Sequence, residues 1–396
     1  MERQKTTFSI LILLGITHMF NDTLQNMVQA VYPMIKDSLA LNFSQIGIIT
    51  LVYQMSSSIF QPIIGAYTDR KPQPYSLPIG MLFTMSGILA LAFASDFVHV
   101  LIAVFVAGVG SSVFHPEASR LAHIASGGKH GLAQSIFQVG GNFGGSLGPL
   151  LAALFIAPYG RQNIGWFAIF ALICIMFMLY ISRWYKGILL RFNMNPETKH
   201  TNTAQSLQPL GSQRKTIFTL GILLVLIFSK YVYMASLTSY YTFYLIEKFG
   251  ITIKQSQLYL FAFLFAVALG TFFGGPIGDR FGRKYVIWFS ILGTAPFALL
   301  MPHVGLAGTC MLSIVIGLIL SSAFSAILVY AQELVPGKEG LIGGLFFGLA
   351  FGIAGIASAI FGKIADTHGI EYVYHIAAFM PLLGLIAGFL PNLKRR

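Results

Sequence analysis

Residues 65–70 read Gly65-Ala66-Tyr67-Thr68-Asp69-Arg70, and 210 positions later residues 275–280 read Gly275-Pro276-Ile277-Gly278-Asp279-Arg280. The same offset relates Ser111-Ser112 to Ser321-Ser322 and Gln45 to Gln255. Gly131-Leu132 matches Gly340-Leu341 at an offset of 209. A register shared over successive apolar runs predicts a chain made of two halves on one plan. Two parallel helical repeats around a central cavity are a transporter plan.

Composition points the same way. Of 396 residues, 56% are hydrophobic and 10% charged, against about 25% charged in a soluble domain. That excludes an ordinary soluble enzyme, a nucleic-acid-binding module and a disordered chain. The net charge of +12 comes from 25 scattered Lys and Arg, so the expected partner is a lipid bilayer and not nucleic acid. A spanning helix needs about 20 mostly apolar residues. Twelve runs qualify: 8–35, 45–68, 75–95, 98–120, 131–157, 163–183, 216–246, 255–278, 284–303, 306–333, 340–365 and 370–391. Their continuity excludes a β-barrel, whose segments alternate over about 10 residues. The fold class is therefore an all-α polytopic membrane protein, with two six-helix bundles around a central cavity. The polar stretch 184–215, with Asn193, Asn195, Pro196 and Thr198, reads as a linker between bundles at 1–183 and 216–396. The N-terminus and the loops after even-numbered spans hold 18 Lys and Arg, the opposite side 5, and the spans themselves 2. Positive charge gathers on the cytoplasmic side, so both termini are expected there.

A charge at a helix centre costs about 2.5–3.5 kcal/mol on insertion scales, which makes intramembrane charges functional candidates. In the first span His18, Asp22 and Gln25, followed by Gln29, fall on a narrow arc of one helical face. Such a stripe lines either water or an interhelical polar seam. Asp22 is the expected proton carrier, helped by His18, His115 or Glu117. In the fourth span Glu117 and Arg120 are three apart, and can pair with each other. His115 lies nearly opposite them, and Pro116 removes a helical hydrogen bond and can bend the span. In the fifth span Gln138 and Asn142 are four apart. In the seventh, Lys230 shares a face with Tyr233 and Tyr241, beside Tyr231. A cation framed by phenols suits a small polar anion, or cation–π contacts alone. Arg120 and Lys230, one in each half, are the expected anion clamp, with Tyr233, Tyr241, Gln25, Gln138 and Asn142 as further binding candidates. No G-x-x-x-x-G-K-[ST], H-E-x-x-H or C-x-x-C occurs, so no cofactor is expected, and the histidines lack metal-ligand spacing.

Between the eighth and ninth spans stands Gly278-Asp279-Arg280-Phe281-Gly282-Arg283-Lys284. A short Asp, Arg and Gly loop lets two helices turn sharply, and its Asp can cap or pair at a helix end. This stretch resembles the signature loop of the major facilitator superfamily. The first-half copy keeps Gly65, Asp69 and Arg70 but lacks the Gly-Arg-Lys tail. Gly144-Gly145-Ser146-Leu147-Gly148-Pro149 is similar to the G-x-x-x-G-P signature of that superfamily's proton-driven antiporters, with Ala152-Ala153 where a Gly pair usually follows. Gly141, Gly145 and Gly148 share a face that permits close helix contact, and Pro149 can bend the helix. The resemblance implies a bacterial inner-membrane monomer that exports a small anionic phosphonate drug by proton antiport. Two alternatives stay open: an anion-uptake symporter of the same fold, and a polytopic membrane enzyme using His115 or Asp22 as a base. The repeat argues against the enzyme, because catalysis needs no paired halves.

Overall fold

The computed structural model describes residues 6–127, 130–194, 213–335 and 339–391. Every regular element among them is helical, as lipid demands of a chain that must satisfy its own backbone groups. The first half holds α1 (Phe8–Ala30), α2 (Tyr32–Ser38), α3 (Phe43–Arg70), α4 (Ser76–Ala92), α5 (Phe97–Ala125), α6 (His130–Leu151) and α7 (Ala168–Met194). The second half holds α8 (Gln213–Phe249), α9 (Ile253–Phe281), α10 (Arg283–Leu292), α11 (Ala295–Leu300), α12 (Leu306–Leu334), α13 (Glu339–His368) and α14 (Ile370–Ala377). Several spans among the described residues are broken rather than straight. The first breaks at Val31, the ninth at Gly293-Thr294, and the twelfth continues from α14 as a 3-10 turn, Met380–Phe389.

Among the described residues, ten runs are long and apolar enough to cross a membrane by length and composition. The other two expected spans are α4, at 17 residues, and α1, which carries the polar stripe. Within the expected linker 184–215, α7 runs on to Met194 and α8 begins at Gln213. Residues 195–212 lie outside the described residues.

The repeat is visible in how helices start. Asn42 caps α3: its side chain accepts from the Gln45 amide at 2.8 Å while Gln45 Oε1 accepts from the Asn42 amide at 3.0 Å. At the same offset Thr252 and Gln255 repeat this reciprocal box at the start of α9. Two orphan amides are satisfied in each case. The halves meet where α3 packs along α13 and α6 along α9. At the end away from the termini they are also bonded. The Asp366 carboxylate on α13 accepts from the Phe43 amide at 2.8 Å and from the Ser44 amide at 2.7 Å. Gln257 Nε2 donates to the Ala30 carbonyl at 2.7 Å.

Within the first half α6 lies against α1 at backbone distance. A Cβ on Gly144 would stand 2.1 Å from the Met19 carbonyl oxygen, and one on Gly141 would stand 2.3 Å from the His18 ring. Only glycine allows that approach. Gly148 meets the Met27 amide in the same way. Past Pro149 the helix widens into a π turn, Ala152–Ile156, closed by Ala157 N to Ala152 O at 2.8 Å. Such a turn is a recognised site of helix bending.

Candidate functional site

The α1–α6 contact fixes the first polar centre. His18 is buried, stacks on Phe137 with ring centroids 3.9 Å apart, and its Nδ1 lies 2.8 Å from the Phe137 carbonyl. Its Nε2 faces Asp22 Oδ2 at 3.2 Å. From α5, His115 Nε2 approaches Asp22 Oδ1 at 3.5 Å. Asn21 Nδ2 donates to the same oxygen at 3.0 Å. The two imidazoles stand edge to face, 5.3 Å between centroids. Gln25 is half-buried on the same stripe, its amide nitrogen without a partner.

Tautomers follow from the acceptors. A carbonyl only accepts, so His18 Nδ1 carries a hydrogen. The Nε2 of a neutral ring is then itself an acceptor, and it faces a carboxylate only with a proton between them. His115 has a choice, because its Nδ1 lies 3.1 Å from the Ser111 carbonyl and 3.3 Å from the Ser111 hydroxyl. The cluster is therefore able to hold and pass protons. The histidines lack ligand spacing along the chain, yet the fold brings two of them together with Asp22. His18, Asp22 and His115 offer atoms all within 4.8 Å of one another. Spacing along the chain hid this, because two helices far apart in sequence supply the set.

Glu117 stands apart from this cluster. It is buried, and its carboxylate accepts from Arg120 Nε at 3.3 Å and from Nη2 at 2.5 Å. The Arg120 guanidinium also lies over the Tyr185 ring, 5.3 Å from its centroid. The expected clamp of Arg120 with Lys230 is thus not assembled. Arg120 has its counter-ion on its own helix, and it does not line the cavity at Lys230.

That cavity, of about 110 Å³, opens between the halves. Gln138 and Asn142 of α6 face Lys230 and Tyr231 of α8, Thr271 of α9, and Ser321 and Phe324 of α12. Lys230 is buried, with 5% of its surface exposed. Its Nζ donates to the Ser321 carbonyl at 3.4 Å and sits over the Tyr231 and Phe324 rings at 5.5 and 5.6 Å. Among the described residues no carboxylate lies within ion-pair distance of it. An ammonium has three donors, so it has capacity to spare. Tyr233 and Tyr241 do not line the cavity. The Tyr241 hydroxyl donates to Ser313 at 3.0 Å, and Tyr233 is buried with its hydroxyl unpartnered. Helical-face arithmetic favoured them, but the flexible Lys230 stem carries its ammonium beside Tyr231. Sequence reading had no signal for Thr271 and Phe324, which other helices bring in.

Of the loop residues, Gly65 packs against Pro116, where a Cβ would stand 3.6 Å away. Gly282 takes φ +98° and separates α9 from α10, which Arg283 opens. Positive φ of this size favours glycine. Asp69, Arg70, Gly278, Asp279 and Arg280 lie in the closing turns of α3 and α9, and their side chains are outside the described residues.

The family model of the Major Facilitator Superfamily matches residues 14–255 and 222–396. The chain belongs to the major facilitator superfamily. It is a multi-pass membrane transporter and not an enzyme. It is 55% identical over 394 residues to the fosmidomycin resistance protein of Escherichia coli (strain K12), covering 100% of this chain and 95% of that one. It is 43% identical over 390 residues to YfnC, an uncharacterized MFS-type transporter of Bacillus subtilis (strain 168), covering 98% and 94%. The fold is shared with the xylose transporter XylE of E. coli in a partially occluded inward open conformation. The TM-score is 0.77 at 15% identity, over 99% of each chain.

Proposed function

We propose that this transporter exports a small anionic antibiotic of the fosmidomycin type in exchange for protons, by alternating access. The observation that carries the reading is Lys230, buried between the halves with no counter-ion among the described residues. Stripping water from an anion is expensive unless a fixed charge replaces it. Lys230 supplies that charge from the second half, and Gln138 and Asn142 supply amide donors from the first. One anion then touches both halves, and rocking of the halves carries it across. The relative's name supplies the drug.

Protons move through Asp22, His18 and His115, where a proton is needed for the Nε2–carboxylate contact to hold. With both termini cytoplasmic and a single chain acting alone, an anion leaves as protons enter. Both movements run with a negative-inside potential, which yields about 2.3 kcal/mol per elementary charge per 100 mV. The test is fosmidomycin flux and binding in inverted vesicles, with a protonophore and with Lys230→Gln. Proton-dependent uptake into inverted vesicles, abolished by either treatment, is expected. Wild-type binding in Lys230→Gln would refute the anion site, and flux indifferent to the protonophore would refute antiport.

A further inference from the structure

We propose that His18, Asp22 and His115 form a binding site for one divalent transition-metal ion of the zinc class, tying α1 to α5. Two imidazole nitrogens and a carboxylate suit zinc, cobalt or nickel rather than magnesium or calcium, which prefer all-oxygen shells. A tetrahedral zinc with bonds of about 2.0–2.1 Å sets its ligand atoms roughly 3.3 Å apart. Here each imidazole faces a different oxygen of the one carboxylate, His18 Nε2 at 3.2 Å from Asp22 Oδ2 and His115 Nε2 at 3.5 Å from Oδ1. One atom from each of the three residues lies within 4.8 Å of the other two, so rotation of the Asp22 carboxylate and the His115 ring is what brings the set to tetrahedral spacing.

The outer contacts supply an independent argument. A metal-bound imidazole usually gives its second ring N–H to a carbonyl or carboxylate, which fixes the ring and raises its basicity. His18 Nδ1 has the Phe137 carbonyl at 2.8 Å, and His115 Nδ1 has the Ser111 carbonyl at 3.1 Å. Both rings therefore turn Nε2 toward the same carboxylate. Gly141 holds the His18 ring from behind, where any Cβ would displace it. The Asp22 side chain keeps 20% of its surface exposed and that of His115 11%, which leaves an entry path and an open coordination position for water. Three protein ligands with an open position make a site that exchanges its ion. An ion bridging α1 and α5 also holds these helices in one arrangement, so its binding is expected to slow transport.

The experiment uses the full chain in lipid nanodiscs, with any purification tag removed, titrated with Co²⁺. Expected are visible d–d absorption bands saturating at one ion per chain and abolished by Zn²⁺. His115→Asn and Asp22→Asn should each weaken Co²⁺ binding by at least about 100-fold, since even outer-contact losses cost 10–100-fold. His99→Gln and His375→Asn, at sites remote from the cluster, should leave it unchanged. His18→Gln removes a packed ring and can disturb folding, so the more exposed His115 carries the test. Absence of the bands in the wild type, or bands unchanged in both ligand variants, would overturn the proposal. Metal binding is read without any transport, and phosphonate binding at Lys230 without any metal, so the two readings fail separately.

Discussion

In the first half, Asp22 sits against two imidazoles and Glu117 against the fork of Arg120, whereas in the second half Lys230 is buried with one carbonyl and two aromatic faces. Both arrangements place charge at membrane depth, and they solve the desolvation problem differently. A charge with an internal partner is satisfied without a ligand, whereas a charge short of partners is open to one. On the proposed function, proton handling and structural pairing fall to one half and anion capture to the other.

Four changes break or sharpen that contrast. The largest effect is expected for Glu117→Gln, which leaves the Arg120 guanidinium without its counter-ion. Breaking a buried pair by removing one partner costs about 3–5 kcal/mol. Denaturation of the detergent-solubilised protein should register it, and Glu117→Leu with Arg120→Met should recover most of the loss. Phosphonate affinity in the double variant should match the wild type; a lost affinity would return Arg120 to the binding site. Next comes Lys230→Gln, where removing one partner of a buried charge contact costs about 2–5 kcal/mol of binding. Isothermal titration with fosmidomycin should show it, with little change in stability.

Gly144→Ala ranks third. The new methyl would meet the Met19 carbonyl at 2.1 Å, and such overpacking costs about 1–3 kcal/mol. Thermal melting measures it, and an unchanged melt would mean that α1 and α6 part easily. The smallest effect lies outside the bilayer, where water does the pairing. Asp96 accepts from the His99 amide at 2.9 Å at the start of α5, which holds its carboxyl below the usual carboxylate range. Its contribution is present above the unfolded carboxyl's range and is lost as pH falls through the depressed folded value. Asp96→Asn should remove that small acid-side dependence of the melting temperature and leave transport intact.

Much of this was legible from residue order alone. Apolar runs give the helices, and the offset of 210 pairs Gln45 with Gln255, which the fold then uses in the same helix cap. Glu117 and Arg120 are three apart on one helix, so their pairing is local and readable. The approach of His115 to Asp22 is not, because it depends on how α5 crosses α1. The same limit hid Thr271 and Phe324, whose positions beside Lys230 are set by helix packing rather than by periodicity. Helical-face arithmetic misjudged Tyr233 and Tyr241 for a further reason: a four-carbon stem decouples an ammonium from the face of its own Cα.

Asp366 gives the end of the molecule away from the termini a mechanical character. Its carboxylate grips the first two amides of α3 from the other half, in a setting open to solvent. When the halves part there, water takes over each broken bond in kind, and the net worth of an exchanged hydrogen bond is only about 1 kcal/mol. Under the proposed alternating access, the contact would act as an end stop and not as a lock, setting where a closing stroke rests while leaving the return stroke almost level.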